Sequence, residues 1–151
     1  MQHSETTVNP SPLFHVLLIE DDLRMVEILA DCLRRDQIAL TKVANGPEAL
    51  TAIAGNKFDL ILLDLGLPGA MDGLELLRQL KRHPAAQSVP VIILTAWHGS
   101  QEKIEGFELG ATDYITKPFE LFEFRARVRA TLRTKRLQDQ LTQANLDLDA
   151  A

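Results

Sequence analysis

The stretch Phe58-Asp59-Leu60-Ile61-Leu62-Leu63-Asp64-Leu65-Gly66-Leu67-Pro68 decides the fold. Leu60 to Leu63 are consecutive large aliphatics, followed at once by a carboxylate and a Gly/Pro turn. Such a run predicts a strand buried on both faces whose carboxyl end delivers Asp64 into a loop. In an open parallel α/β sheet the functional crevice lies outside the carboxyl ends of the strands, so other strands should end beside Asp64. Three stretches do so. Phe14 to Ile19 runs into Glu20-Asp21-Asp22, Val89 to Leu94 runs into Thr95, and Asp113 to Thr116 runs into Lys117-Pro118.

Working outward, residues 1–12 are polar with two prolines and read as a loose, disordered tail. After the first strand the pattern turns helical, with Leu23, Val26, Leu29 (or Ala30) and Leu33 on one face. Ile38 to Val43 is a second strand. Asn45-Gly46-Pro47 then starts a helix carrying Ala49, Leu50 and Ile53 that closes at Gly55-Asn56. Beyond the central strand, Asp72 and Glu75 have capping-box spacing, and Leu74, Leu77 and Leu80 form the stripe of a helix ending before Pro84. Ser100 is placed to cap a helix with Ile104, Phe107 and Leu109 that stops at Gly110. A last helix begins near Glu120, with Leu121, Phe124, Val128 and Leu132 on one face. Five βα units with short, right-handed crossovers predict an α/β, doubly wound, five-stranded parallel sheet in the order 2-1-3-4-5.

The totals fit one such domain. A chain of 151 residues, 46% hydrophobic and 25% charged, suffices for a single core. A net charge of -5 argues against a direct nucleic-acid surface, which needs clustered positive charge. The arginines of the last helix (Arg125, Arg127, Arg129, Arg133, with Lys135 and Arg136) read as a solvated helix face. Cys32 is alone, which excludes an internal disulfide, and it fits the aliphatic pattern as a small core residue. There is no signal-peptide pattern and no apolar run long enough for a bilayer, so no membrane partner is expected and the expected location is cytoplasmic.

The strand ends carry the chemistry. Glu20, Asp21 and Asp64 gather carboxylates within a few ångströms, a repulsive arrangement unless a cation or protons relieve it. Oxygen-only ligation without His or Cys favours Mg²⁺ (or Mn²⁺), with a backbone carbonyl from the Gly66 loop completing the set. Taken alone, the Glu20-Asp21-Asp22 triplet could equally be a cap for the first helix; Asp64 tips the reading toward a metal site. Lys117 opposite an aspartate and a metal suits a transferred phosphoryl group, with Asp64 as nucleophile. The Thr95 hydroxyl is placed to bond a phosphoryl oxygen once one is present.

Glu20-Asp21, Asp64, Thr95-Ala96 and Tyr114-Ile115-Thr116-Lys117-Pro118-Phe119 together resemble the response-regulator receiver domain of two-component phosphorelays, in order and spacing, over about residues 13–132. The resemblance implies a flavodoxin-like fold and a signalling phosphoacceptor rather than an enzyme, one that promotes its own Mg²⁺-dependent phosphorylation and dephosphorylation. It implies that Asp64 takes a phosphoryl group from a histidine kinase or phosphotransfer protein. Glu20, Asp21 and the Gly66 carbonyl then look like metal ligands, and Lys117 like the phosphoryl-contacting lysine, before a peptide bond commonly cis in this family. Thr95 and Tyr114 look like a switch pair that biases the face made by the fourth helix, fifth strand and last helix.

Two departures stand out. The loop Pro68-Gly69-Ala70-Met71-Asp72-Gly73 is one residue longer than is usual in the family, and Trp97 stands where the resemblance implies the path of an attacking water, so that its bulk would either slow loss of the phosphoryl group or simply pack over the surface loop. A dehalogenase-type phosphatase would need a second aspartate where Gly66 stands, and a docking-only receiver would lack an acid or the lysine. Neither G-x-G-x-x-G nor a P-loop occurs. From Arg133 to Ala151 there is no Gly or Pro, and Leu137, Leu141, Ala144 and Leu148 are spaced as a short coiled-coil seam. Residues 133–151 are therefore expected to be a helical extension, either a short coiled coil able to support a homodimer or a solvated, partly frayed terminal helix, and similar in composition to linkers toward a diguanylate cyclase or histidine kinase output module outside this chain.

Overall fold

The structure, a computed structural model, describes residues 12–96 and 100–149. Its elements alternate: β1 (Phe14–Ile19), α1 (Leu23–Leu33), β2 (Ile38–Val43), α2 (Gly46–Gly55), β3 (Leu60–Asp64), α3 (Gly73–Arg82), β4 (Val91–Thr95), α4 (Ser100–Glu108), β5 (Asp113–Thr116) and α5 (Leu121–Asp149). The sheet is five-stranded and parallel throughout, in the expected order β2-β1-β3-β4-β5. β4 starts at Val91 rather than Val89. Pro90 has no N–H to give, and its carbonyl accepts from the Ile61 amide at 3.0 Å just before the ladder.

Register fixes where the strands end. Leu63 pairs with Ile19 on one side and Ile93 on the other, Asp64 with Leu94, and Thr95 with Thr116. Glu20 follows Ile19 and Lys117 follows Thr116, so all their side chains emerge at one edge. Every residue of β3 and β4 is buried because alternate side chains serve two cores. One face places Leu17, Ile19, Ile61, Leu63, Val91 and Ile93 against Ala49, Ile53, Leu76, Leu77 and Leu80 of α2 and α3. The other places Val16, Leu18, Leu60, Leu62, Ile92 and Leu94 against Val26, Leu29 and Leu33 of α1 and Phe124, Val128 and Leu132 of α5. Continuous aliphatic runs are what such double burial requires.

Several local expectations are corrected. Leu23, assigned to the buried stripe of α1, is 76% exposed, because as the first helical residue it lies outside the sheet's cover. Ile104 and Phe107 are about half exposed, and α4 instead meets the sheet through Gly106, where a Cβ would stand 2.8 Å from Ile93 Cδ1. Leu121 is likewise exposed at the start of α5. The capping box at α3 is half made: Asp72 accepts the Glu75 amide at 2.8 Å, but Glu75 turns to Arg78 and Gln79. A related pair occurs at α2, where the cap Asn45 accepts the Glu48 amide at 2.9 Å and Glu48 reaches back to accept the amide of Ala44, one residue before the cap, at 2.8 Å. α4 closes as expected at Gly110, whose φ of 107° a side chain would resist. The bonds Gly110 N to Phe107 O and Ala111 N to Gly106 O complete a Schellman cap.

The arginines of α5 are not a uniformly solvated face. Arg125 grips Asp36 through two bonds of 2.9 Å, and Arg127 holds both oxygens of Asp113 at 2.8 Å, tying the helix to the α1–β2 turn and to β5. Cys32 is half-buried and packed against the second core, as a small core residue would be. Leu132 is the last buried residue of α5. Beyond it the helix runs on with Leu137, Leu141, Leu146 and Leu148 exposed, supported by the i,i+4 pairs Lys135–Asp139 and Gln143–Asp147.

Candidate functional site

The acidic triplet after β1 divides into separate roles. Glu20 is buried at the strand end, and its amide bonds the Val43 carbonyl at 3.0 Å. Asp21 is exposed. Asp22 caps α1, accepting from the Arg24 and Met25 amides at 3.0 and 3.4 Å. Capping, read from the sequence as the rival of a metal site, thus falls to Asp22, while Glu20 and Asp21 lie beside Asp64.

Asp64 is buried at the end of β3, and its Oδ1 accepts the Gly66 amide at 2.9 Å. Oδ2 accepts from Lys117 Nζ at 3.1 Å, and the same ammonium lies 3.4 Å from each oxygen of Glu20. Lys117 is positioned by the end of β5, where its amide bonds the Thr95 carbonyl at 2.7 Å and its peptide bond to Pro118 is cis. The ligand oxygens of Glu20, Asp21 and Asp64 lie within 4.8 Å of one another. Burial, helped by a hydrogen bond and repulsion from Asp64, pushes the Glu20 carboxyl up to about 8. For Lys117, burial favours the neutral amine, but the two carboxylates outweigh it and hold the ammonium above its usual range.

This donor set fits a hard divalent cation: it is all oxygen, closely spaced, and partly buried beside a lysine that cannot neutralise every carboxylate alone. Gly66 is exposed directly beyond Asp64, where its backbone is accessible.

The loop after Asp64 is closed by an approach that only glycine allows. The Gly73 amide bonds the Leu65 carbonyl at 3.2 Å, and a Cβ at Gly73 would overlap Leu65 Cα. The sequence reading noted the loop's extra residue but not this clamp; the signal was a glycine immediately after the Asp72 cap, at the first turn of α3. Met71 packs over Gly46 and anchors the loop to α2.

Thr95 is fully buried, and Tyr114 is nearly so. Burial pushes the Tyr114 phenol up, opposed by a hydrogen bond with Thr95. Phe107 lies 6.4 Å from the Tyr114 ring, and Lys103 sits over that ring at 5.2 Å. Neither contact is legible in the sequence, because periodicity within α4 does not say which strand residue its side chains meet. Trp97 lies outside the described residues.

A doubly wound parallel sheet with acids at two strand ends and a lysine at a third defines a class of α/β domain whose charged site can hold an anionic group beside a cation. The profile of the response regulator receiver domain matches residues 16–129. The chain is 43% identical over 137 residues to the transcriptional activator protein PfeR of Pseudomonas aeruginosa, covering 91% of this chain and 43% of that protein. It is 44% identical over 118 residues to the sensory transduction protein RegX3 of Mycolicibacterium smegmatis, covering 78% and 50%. The receiver domain of Francisella response regulator 1452 superposes with a TM-score of 0.73 at 34% identity, covering 80% of this chain and 98% of that one. The chain therefore belongs to the response regulator receiver domain family of two-component signalling. It spans about half the length of the curated relatives it matches. Among the described residues, no helix is long and apolar enough to cross a membrane.

Proposed function

We propose that Asp64 is the phosphoacceptor of this receiver, taking a phosphoryl group from a histidine kinase or phosphotransfer protein. The observation that carries the reading is the three-way contact of Lys117 with Asp64 and Glu20 at the carboxyl edge of the sheet. An Asp64 carboxylate oxygen attacks phosphorus, the P–N bond to the donor imidazole breaks, and an acyl phosphate forms. Lys117 neutralises the charge arriving on the phosphoryl oxygens, and the Gly66 amide keeps the other carboxylate oxygen in place. Glu20, Asp21 and Asp64, with the Gly66 carbonyl, would hold Mg²⁺ (or Mn²⁺), whose charge offsets that of the phosphoryl group.

Thr95 and Tyr114 form the switch pair of this proposal, supported by the hydrogen bond between them and by the burial of both. Engagement of the Thr95 hydroxyl by a phosphoryl oxygen would change that contact and so the packing of α4, β5 and α5. The extension over residues 133–151 would carry the change outward, as a homodimer along Leu137, Leu141 and Leu148 or as a linker to an output module. A cytoplasmic location follows from the kinase partnership.

Intact mass after incubation with acetyl phosphate and Mg²⁺ tests the reading. The expected result is a single phosphoryl adduct, labile to hydroxylamine, that needs Mg²⁺ and is absent in Asp64→Asn. No adduct on the wild-type chain, with Mg²⁺ binding demonstrated, overturns it. Light scattering that shows a monomer both with and without the adduct removes the dimer.

A further inference from the structure

Arg35, Arg129, Arg133 and Arg136 line one groove of about 450 Å³ together with Phe14, Asp36, Gln37 and Leu132. It lies where β1 and β2 begin, at the end of the sheet opposite Asp64. Such a concentration of guanidinium groups is unexpected in a chain of net charge -5. The groove's one carboxylate does not offset it, because Asp36 already receives both bonds of the Arg125 fork, with Arg129 Nε 3.9 Å away. Arg35, Arg133 and Arg136 form no ion pair among the described residues.

The chemistry selects a ligand. Guanidinium forks match the oxygens of phosphate in two-point bonds, and several around one groove suit more than one phosphate. The volume lies in the range of small-molecule sites and would be mostly unfilled by a single orthophosphate. Phe14, half-buried at the start of β1, supplies an apolar face that a phosphate alone has no use for and a nucleobase does. Gln37 turns the chain at the rim with a φ of 56°, a left-handed conformation uncommon for a residue with a side chain. We propose that this groove binds a nucleoside diphosphate or a larger phosphorylated nucleotide, tying the base of the α5 extension to the α1–β2 turn. The tie matters because Arg133 and Arg136 lie past Leu132, the last residue by which α5 is buried on the body.

The test is an ADP titration of the full chain in EDTA, followed by amide NMR at Gln37 and by hydrogen exchange over residues 133–149. EDTA keeps divalent metal away from Asp64, so the result is independent of phosphoryl acceptance. Saturable shifts at Gln37 and slower exchange in the extension are expected. Arg133→Glu and Arg136→Glu should each weaken binding by about tenfold or more, equivalent to about 1.4 kcal/mol per factor of ten. Arg133→Lys should recover only part of the loss, since it keeps charge but not the fork. Labelling of Asp64 by acetyl phosphate should be unchanged in these variants and reports that they are folded. The proposal is overturned by the absence of a saturable shift, by equal shifts with sulfate, or by binding of a single-stranded oligonucleotide but not of ADP.

Discussion

The amide of Gly73 bonds the carbonyl of Leu65 at 3.2 Å, so the loop that follows Asp64 leaves the sheet and returns to it at one point. A Cβ at Gly73 would overlap Leu65 Cα and come within 2.8 Å of its carbonyl oxygen, and these are backbone atoms that cannot swing aside. Gly73→Ala is expected to cost about 1–3 kcal/mol in urea unfolding and to slow labelling of Asp64 by acetyl phosphate. Gly46→Ala would meet only Met71, chiefly its Sδ, and that side chain can swing away. Its cost should be clearly smaller, and equal losses in the two variants would refute the clamp.

Phe124 is wholly buried and stacks on Phe119 at 5.6 Å between ring centres, whereas Phe122, two residues earlier on the same helix, is 85% exposed. Phe124→Ala should cost about 3–5 kcal/mol by the loss of buried area and the cavity left behind. Phe122→Ala should stay within about 0.5 kcal/mol. Urea midpoints of the two variants measure the difference.

Glu20 titrates near 8 when folded against 4.5 ordinarily, so the folded chain keeps a proton that the unfolded chain has released. Metal-free stability therefore falls as pH rises from 4.5 and levels off beyond 8. A divalent ion held by Glu20, Asp21 and Asp64 would displace that proton and so bind more tightly as pH rises. Melting temperatures in Mg²⁺ and in EDTA should draw apart between about pH 5 and pH 8. Glu20→Gln should flatten the EDTA curve, and parallel curves for the wild type would count against proton–metal competition.

The bonds from Arg125 hold the Asp36 carboxyl below its ordinary 3.8. A depressed carboxyl stabilises the fold above the unfolded value, and the contribution disappears as pH falls through the lower, folded one. Arg125→Gln should unfold at lower urea than the wild type at neutral pH. The two should converge when the pH is taken well below 3.8, and a constant gap would assign the effect to packing instead.

Strand order, the carboxyl edge and the Glu20–Asp64–Lys117 set were legible because continuous aliphatic runs and charged strand ends are local signals. The links Arg125–Asp36 and Arg127–Asp113 were not, since each joins a helix to a distant turn or strand and periodicity within α5 carries no trace of the partner. Leu23 and Phe107 were misplaced for a related reason. Helical spacing says which residues share a face, but how far that face is covered depends on the neighbour's length and distance. The Gly73 clamp escaped because a close backbone approach leaves only a glycine as its sign.

α5 is anchored on the body by Phe124, Val128 and Leu132 and then continues unsupported by any buried residue to Asp149. The helix beyond Leu132 is roughly 25 Å long at the rise of an α-helix, so a tilt of about 5° at Leu132 sweeps its tip about 2 Å sideways. The helix is thus a mechanical amplifier: repacking too small to disturb the core at its root becomes a displacement the size of an atom at its end.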